Sequence, residues 1–245
     1  MEADYVPIAS MTETVMPTTT CYPTQARVGP MASAAPFVFI VDDDLSVRES
    51  IELLVEESGW RPEVFGSALE FLARQRPACP SCLVLDIGLP DLDGLEVQSR
   101  IAGDSGEMPI IFVTGRGDVR TTVQAMKAGA VEFLTKPFSP QALLDAIRNA
   151  VDRSRVFLEE KQSQMALRDR YLSLSPRERQ VMELVVRGHL NKQAAGTLGI
   201  SEITVKAHRG RVMRKMEARS LPELVTTALR LGLNSAKQLS GQRVL

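Results

Sequence analysis

The chain has little cysteine and histidine, and it lacks any long apolar run. Three cysteines and two histidines in 245 residues leave an odd number of thiols and few ligands for a zinc site. The low and odd number of cysteines disfavours a disulfide framework and predicts a reducing compartment, which we expect to be the cytoplasm. No segment approaches the ~18 apolar residues of a membrane-spanning helix, so we expect no membrane association.

One CxxC motif is present, Cys79-Pro-Ser-Cys82. A redox pair or a metal site is one interpretation of this motif. However, it lies in a loop that enters a predicted strand, not at the start of a helix that follows one. We favour the interpretation that the two cysteines are simply small residues at the entry to a strand.

Charge is nearly balanced overall but is unevenly distributed. Residues 37–153 carry 11 Lys/Arg against 19 Asp/Glu, a net charge of −8, whereas residues 171–235 carry 11 against 5, a net charge of +6. This asymmetry predicts an acidic module followed by a basic one, and the basic module is a candidate for nucleic-acid binding. Residues 1–36 hold five Pro and six Thr without apolar periodicity, which predicts a disordered extension. One hypothesis is that translation starts at Met31, just before the first predicted strand.

From Phe37 onward, β-branched runs alternate with helical patterns. Five βα units in about 115 residues predict a parallel sheet covered by helices on both faces. Capping boxes are expected at Ser46 with Glu49 and at Ser67 with Glu70. Ser139-Pro140 predicts the start of a helix that continues into a helical linker. Strands are expected near 37–42, 62–65, 82–86, 109–113 and 131–134, and helices near 46–58, after 67, near 94–102, near 118–128 and from 139.

Four short helices are expected after the linker, near 176–187, 191–198, 202–216 and 221–231. The first, third and fourth of these helices have predicted N-caps, which are Ser175 with Glu178, Ser201, and Ser220 with Glu223. The middle two helices form a helix-turn-helix pattern, in which the first helix is expected to pack on the second. The predicted contacts join Ala194, Ala195 and Leu198 to Val205, Val212 and Met216.

Polar residues follow four of the predicted strands: Asp42 with Asp43, then Asp86, Thr114 and Lys136. Because the carboxyl ends of parallel strands meet at one edge of a sheet, we expect these side chains to share a crevice. Three carboxylates repel one another unless cations join them, and Mg²⁺ together with the lysine would do so.

Such a crevice is suited to phosphoryl groups. Asp43 and Asp86 can supply carboxylate ligands, Asp42 can hold a bound water, and Gly88 can add its backbone carbonyl. A carboxylate in this setting can also attack phosphorus and form an aspartyl phosphate. The alternative is that the aspartates only cap the following helices, but capping does not explain Thr114 or Lys136.

Four spaced motifs resemble the receiver domain of two-component response regulators. Thr114 is followed by Phe133 after 19 residues and by Lys136 after 22, as in that family. The resemblance covers about residues 37–153 and implies a flavodoxin-like α/β fold, a doubly wound five-stranded parallel sheet of strand order 2-1-3-4-5. The motifs are Val41-Asp42-Asp43-Asp44, Leu85-Asp86 with Leu89-Pro-Asp-Leu-Asp-Gly94, Val113-Thr114-Gly115 and Lys136-Pro137-Phe138.

The resemblance implies that Asp86 accepts a phosphoryl group from a sensor histidine kinase. Thr114 and Phe133 would be the switch pair, and Lys136 would bind the phosphoryl group. A cis peptide bond is implied before Pro137. The implied ligands of Mg²⁺ are Asp42, Asp43, Asp86 and the carbonyl of Gly88.

Two further segments, Gly115-Arg-Gly-Asp118-Val and Ala125-Met-Lys-Ala-Gly129-Ala, resemble the FixJ-like branch of that family. This implies a homodimer that forms on phosphorylation through helix 118–128, strand 131–134 and helix 139–150. The cations of this region are equally well explained as ordinary solvated charges. They are Arg116, Arg120 and Lys127.

Residues 171–235 resemble the LuxR-type four-helix DNA-binding domain. The resemblance rests on Leu174-Ser-Pro-Arg-Glu178-Arg-Gln-Val, Asn191-Lys192 and Thr204-Val-Lys-Ala-His208-Arg209. It implies that the second helix of the motif enters the major groove of double-stranded DNA. His208 is expected to be a packed structural residue, and a small helical bundle with a solvated basic face is the alternative. The residues expected to face the groove are Thr204, Lys206, Ala207, Gly210 and Arg211, and those expected to contact phosphates are Asn191, Lys192 and Arg209.

The predicted organisation is a receiver domain at 37–153, a helical linker at 154–172, a DNA-binding domain at 173–235 and a flexible tail at 236–245. The predicted function is a phosphorylation-controlled transcription factor that binds promoter half-sites and acts with RNA polymerase, as an activator. One rival is a magnesium-dependent phosphatase with Asp86 as its nucleophile, although no cap domain is visible. Another is a nucleotide- or flavin-binding module, although no Gly-rich loop follows the first strand. A third is an orphan regulator that acts without phosphorylation.

Overall fold

The computed structural model describes residues 35–101, 108–115 and 119–233. Residues 1–34 of the predicted N-terminal extension, the predicted C-terminal tail, Arg116 and Asp118 lie outside these residues. Within the described ranges, strands and helices alternate as far as α5, and four further helices follow. The elements are β1 Phe37–Val41, α1 Leu45–Glu57, β2 Arg61–Phe65, α2 Ala68–Ala73, β3 Ser81–Asp86, α3 Gly94–Arg100, β4 Ile110–Thr114, α4 Val119–Lys127, β5 Glu132–Thr135, α5 Pro140–Leu172, α6 Pro176–Val186, α7 Asn191–Leu198, α8 Glu202–Lys215 and α9 Leu221–Arg230.

The five strands form one parallel sheet of order β2-β1-β3-β4-β5, which confirms the predicted topology. Alternate residues of the central strands enter two apolar clusters on opposite faces. Phe39 and Leu83 belong to the cluster that α2 and α3 cover, and Ile40 and Val84 belong to the cluster that α1 and α5 cover. In the described ranges, no helix combines the length and the apolar character needed to cross a membrane.

The start of α1 differs from the prediction. Its N-cap is Asp44, whose carboxylate accepts hydrogen bonds from the backbone N–H groups of Ser46 at 2.9 Å and Val47 at 3.4 Å. The predicted box of Ser46 with Glu49 is therefore wrong. The chain turns into the helix directly after β1, so the third aspartate of the run reaches the cap position before the serine does.

The other predicted N-caps are present. Ser139, Ser175, Ser201 and Ser220 each accept a backbone hydrogen bond at the start of their helices. Ser175 and Glu178 form the full capping box. The caps of α2 and α9 are Ser67 and Ser220, as predicted. However, Glu70 accepts from the backbone N–H of Gly66 and Glu223 from that of Arg219, one residue before each cap, so neither pair forms the full capping box.

Helix α5 runs for 33 residues and links the sheet to the helical part. Its first half packs on the sheet through Leu143 and Ile147, and farther on the buried Ser154 hydroxyl accepts a hydrogen bond from the backbone N–H of Ser81 at 3.1 Å. Near its other end, Leu167 is buried in an apolar cluster of the helical part. The helix therefore continues past Val151, as expected, and ends at Leu172.

The predicted packing of α8 on α7 is confirmed for the first half of α8 only. Val205 packs with Ala194 and Ala195 of α7, as expected. Val212 and Met216 lie instead in the cluster that contains Leu167 of α5 and residues of α6 and α9. The reason is length: α8 is about 21 Å long and the eight-residue α7 is about 12 Å long, so the second half of α8 extends past α7.

Candidate functional site

The predicted acidic crevice is present at the carboxyl ends of the strands. Asp42 follows β1, Asp86 ends β3, and Lys136 follows β5. The Lys136 ammonium donates hydrogen bonds to Oδ2 of Asp42 at 2.5 Å and to Oδ2 of Asp86 at 2.7 Å. Carboxylate oxygens of Asp42, Asp43 and Asp86 all lie within 4.8 Å of one another. Residues from three strand ends therefore meet in one site, although Asp42 and Lys136 are 94 positions apart in sequence.

The crevice carries more negative charge than its lysine can neutralise. Burial raises the pKa of Asp42 by more than the hydrogen bond from Lys136 lowers it. Burial also lowers the pKa of Lys136, but the hydrogen bonds to Asp42 and Asp86 outweigh that effect and the lysine pKa is raised. One firmly protonated ammonium among three carboxylates leaves room for a further cation.

Thr114 and Phe133 lie on the two strands beside this crevice. Thr114 ends β4 with its side chain buried, and its backbone carbonyl accepts the N–H of Lys136 at 2.7 Å. Phe133 lies in β5, where it pairs with Phe112 of β4. It is half-buried against the apolar cluster that α2 and α3 cover. The peptide bond between Lys136 and Pro137 is cis, as the resemblance implied.

Arg48 is a site residue that sequence reasoning missed. Its Nη1 donates to the backbone carbonyl of Asp42 at 2.5 Å, and its guanidinium packs over Gly66 of the β2–α2 connection. Arg48 therefore fixes the backbone that carries the acidic pair. One signal was available: a cation in the first turn of a helix is unfavourable to the helix dipole, which suggests that it has a local partner.

The β3–α3 loop approaches the crevice closely. The backbone N–H of Gly88 donates to Oδ1 of Asp86 at 3.0 Å. The backbone N–H of Gly94 donates to the carbonyl of Ile87, and a Cβ at Gly94 would lie 2.8 Å from the carbonyl oxygen of Asp86. Only glycine permits this approach of α3 to the end of β3.

The two cysteines of the CxxC motif lie in the interior of the receiver part. Cys79 and Cys82 are free and buried, and Cys82 is part of the apolar cluster under α1 and α5. Burial raises the pKa of both thiols, which disfavours the reactive thiolate. Among the residues that the structure describes, the only group of potential metal ligands of this kind is the acidic crevice. These observations favour the structural interpretation of both cysteines.

The predicted DNA-contacting residues lie along the exposed side of α8 and at the start of α7. Arg209 donates from Nη1 to Oδ1 of Asn191 at 3.2 Å, which links the two helices. The Thr204 hydroxyl is hydrogen-bonded to that of Ser201 at 2.8 Å. Lys192, Lys206, Ala207, Gly210 and Arg211 are exposed, and Asn191, Thr204 and Arg209 are half-buried.

A second missed residue fixes the orientation of α8. Lys215, in its last turn, donates to the Glu178 carboxylate at 2.7 Å and to the backbone carbonyl of Ser173 at 3.0 Å. The hydrogen bond from Lys215 is the main reason that the pKa of Glu178 is lowered. The sequence predicted Glu178 only as part of a capping box. His208 is half-buried, and its shielded Nδ1 has no hydrogen-bond partner within the described part of the chain.

Comparisons with known proteins agree with this geometry. A family model described as the response regulator receiver domain matches residues 38–148, and one described as bacterial regulatory proteins of the luxR family matches residues 172–228. The chain is 48% identical over 204 residues to Nodulation protein W of Bradyrhizobium diazoefficiens, covering 83% of this chain and 90% of that protein. It is 42% identical over 199 residues to the transcriptional regulatory protein FixJ of Azorhizobium caulinodans, covering 81% and 94%. The solved structure of the response regulator StyR matches with a TM-score of 0.74 and 46% identity, covering 80% of this chain and 100% of that chain.

Proposed function

Because this chain belongs to the FixJ-like two-component response regulators, which join a receiver domain to a LuxR-type DNA-binding domain, we propose that phosphorylation of Asp86 controls its binding to DNA. The family consists of transcriptional regulators and not of enzymes, so the phosphatase alternative is set aside. A receiver domain implies a cognate kinase, and the LuxR-type domain implies DNA as a partner.

The observation that carries the proposal is the hydrogen bonding of Lys136 to both Asp42 and Asp86. The lysine lies where a phosphoryl group on Asp86 would need a cationic partner. Thr114 ends the neighbouring strand and would donate its hydroxyl to another phosphoryl oxygen. In the transfer, a carboxylate oxygen of Asp86 forms a bond to phosphorus as the bond between phosphorus and the donor nitrogen of the kinase histidine breaks.

The donor set fits Mg²⁺. Its members are hard oxygen ligands with net negative charge, which is the chemistry that Mg²⁺ prefers. Asp43, Asp86 and the carbonyl of Gly88 would hold the ion, and Asp42 would hold one of its waters. When bound, Mg²⁺ would offset the repulsion between the crevice and the incoming phosphoryl group.

The consequence of phosphorylation would be dimerisation. The added group carries about two negative charges, enough to bias Thr114 and Phe133 towards a second arrangement. Three apolar side chains lie exposed on one face of α4, at the i, i+4 and i+7 positions Val119, Val123 and Met126. This face supports the proposal that α4, β5 and the first half of α5 form the dimer surface.

A dimer would present two α8 helices to adjacent half-sites, with Lys206 and Arg211 towards bases and Lys192 and Arg209 towards phosphates. We place the receiver at 37–153, the linker at 154–172 and the DNA-binding domain at 173–235. We further propose that the protein acts in the cytoplasm and activates transcription by RNA polymerase.

Sedimentation with beryllofluoride and Mg²⁺, which together mimic the phosphorylated state, tests the proposal. The natural chain is expected to dimerise, and Asp86→Asn is expected to stay monomeric. Asp44→Asn is the matched control, since asparagine also serves as an N-cap and this carboxylate only caps α1. Dimerisation of Asp86→Asn as strong as that of the natural chain would refute the mechanism.

A further inference from the structure

The loop between β3 and α3, residues 87–93, is attached to a different helix by the side chain of Asp91. Its carboxylate accepts hydrogen bonds from the backbone N–H groups of Ala68 at 3.3 Å and Leu69 at 2.9 Å. These are the first two residues of α2, whose N–H groups have no partner within their own helix. The attachment spans 22 and 23 residues of sequence, so it joins two parts of the fold and not one turn.

The start of α2 thus has two caps with different roles. Ser67 accepts from the backbone N–H of Glu70 and is local to the helix. Asp91 accepts from the two preceding N–H groups and reaches them from the loop. Burial raises the pKa of Asp91, but the backbone hydrogen bonds outweigh it and the pKa is lowered, so this carboxylate stays charged at neutral pH.

The same loop carries a part of the phosphorylation site. Gly88 donates its N–H to Asp86, and Leu89 next to it is buried. The far end of the loop is held at Gly94, which packs against the carbonyl of Asp86. Between these points, the hydrogen bonds of Asp91 to α2 attach the exposed middle of the loop to the rest of the domain.

We propose that Asp91 is a positioning residue of the phosphorylation site, which holds the 87–93 loop so that the carbonyl of Gly88 is in place to bind Mg²⁺. The inference rests on the proposed function of Asp86 and names a residue that does not itself touch the ion or the phosphoryl group. Without Asp91, the loop would have to be ordered when the ion binds, and Mg²⁺ affinity would fall. The rate of phosphorylation at saturating Mg²⁺ would change little, because Asp86 and Lys136 keep their own contacts.

The test compares Asp91→Ala with Ser67→Ala in the full chain. Each variant removes one cap of α2, but only the first releases the loop. Calorimetric titration gives the dissociation constant of Mg²⁺, and acetyl phosphate gives the rate of phosphorylation as a function of Mg²⁺ concentration. Asp91→Ala is expected to weaken Mg²⁺ binding about tenfold, at the lower end of what changes outside the ligand shell cause. Asp91→Asn, which keeps one acceptor oxygen, is expected to lie between Asp91→Ala and the natural chain.

Two results would overturn the inference. If Ser67→Ala weakens Mg²⁺ binding as much as Asp91→Ala does, the effect belongs to α2 and not to the loop. If Asp91→Ala binds Mg²⁺ like the natural chain, the loop does not need its attachment. Failure of the proposed function looks different: the natural chain and Asp86→Asn would then respond identically to Mg²⁺ and acetyl phosphate.

Discussion

Replacing Lys136 with methionine removes the only cation that contacts both buried carboxylates in the described crevice. Methionine keeps most of the length of the side chain and loses its charge. Asp42, whose side chain is fully buried, and Asp86 would then face each other without a cationic partner, although each keeps one backbone N–H donor. We therefore expect Lys136→Met to destabilise the receiver domain strongly when no metal is present.

The size of the effect follows from burial. Removing one member of a buried ion pair costs about 3–5 kcal/mol, because the remaining charge is left uncompensated. The Lys136 side chain is 20% exposed, which places the cost near the lower limit, about 3 kcal/mol. With a urea m-value of about 2 kcal/mol/M, the unfolding midpoint should fall by about 1.5 M.

The loss should depend on pH in a defined direction. Lysine no longer lowers the pKa of Asp42 in the variant, whereas burial still raises it. A carboxyl group whose folded pKa lies above its unfolded value gives stability that is gained as pH falls and lost as pH rises through the folded pKa. The deficit of Lys136→Met should therefore be largest at neutral pH and shrink in acid.

Trp60 provides the assay, since it is the single tryptophan and is partly buried against the apolar cluster that α1 and α5 cover. Urea unfolding followed by its fluorescence reports on this domain alone. Lys127→Met, at an exposed lysine of α4, is the matched control and should keep the natural midpoint. A midpoint for Lys136→Met equal to that of the control at neutral pH would refute the charge balance described for the crevice.

Further predictions concern α3 and the helical part. Gly94→Ala should cost about 2–3 kcal/mol in the same unfolding assay, because its Cβ would lie 2.8 Å from a backbone oxygen; an unchanged midpoint would contradict this close approach. Glu178→Gln should lose stability at neutral pH and should flatten the acid limb of the pH–stability profile measured by circular dichroism. Because the pKa of Glu178 is lowered in the folded chain, its charge stabilises the fold at pH values above the ordinary glutamate pKa, and this stability is lost as pH falls through the folded pKa. An acid limb of Glu178→Gln like that of the natural chain would contradict the role of this ion pair. Arg209→Ala should weaken binding to all DNA sequences and reduce the salt slope by about 1, whereas Arg211→Ala should cost about 1–3 kcal/mol at one base position only; the opposite pattern in titrations of operator variants would reverse the two roles.

The elements and the crevice could be predicted because they depend on local patterns. Alternating β-branched runs and helical periodicity define the strands and helices, and a parallel sheet brings the ends of its strands together. Asp42, Asp86 and Lys136 are therefore found together without any knowledge of distances. Serine N-caps could be predicted for the same reason. The one serine that was wrongly predicted as an N-cap is Ser46, where Asp44 takes this position instead.

The contacts that attach the loops around the crevice and that fix α8 could not be predicted in this way. Arg48 binds a backbone carbonyl, Asp91 binds two backbone N–H groups, and Lys215 binds a capping glutamate. Each contact depends on how two loops or helices approach each other in space, and a backbone group has no identity in the sequence. The wrong prediction for the packing of Val212 has a related cause, since this packing depends on the relative lengths of α7 and α8.

The central claim is that Asp86 accepts the phosphoryl group, and trapping the acyl phosphate tests it most directly. The chain is incubated with acetyl phosphate and Mg²⁺ and then reduced with borohydride, which converts a phosphorylated aspartate to homoserine, and its peptides are sequenced by mass spectrometry. Homoserine is expected at Asp86 alone, and it should be absent after Asp86→Asn. Homoserine at Asp42 or Asp43, or at no position in a chain shown to bind Mg²⁺, would contradict the account.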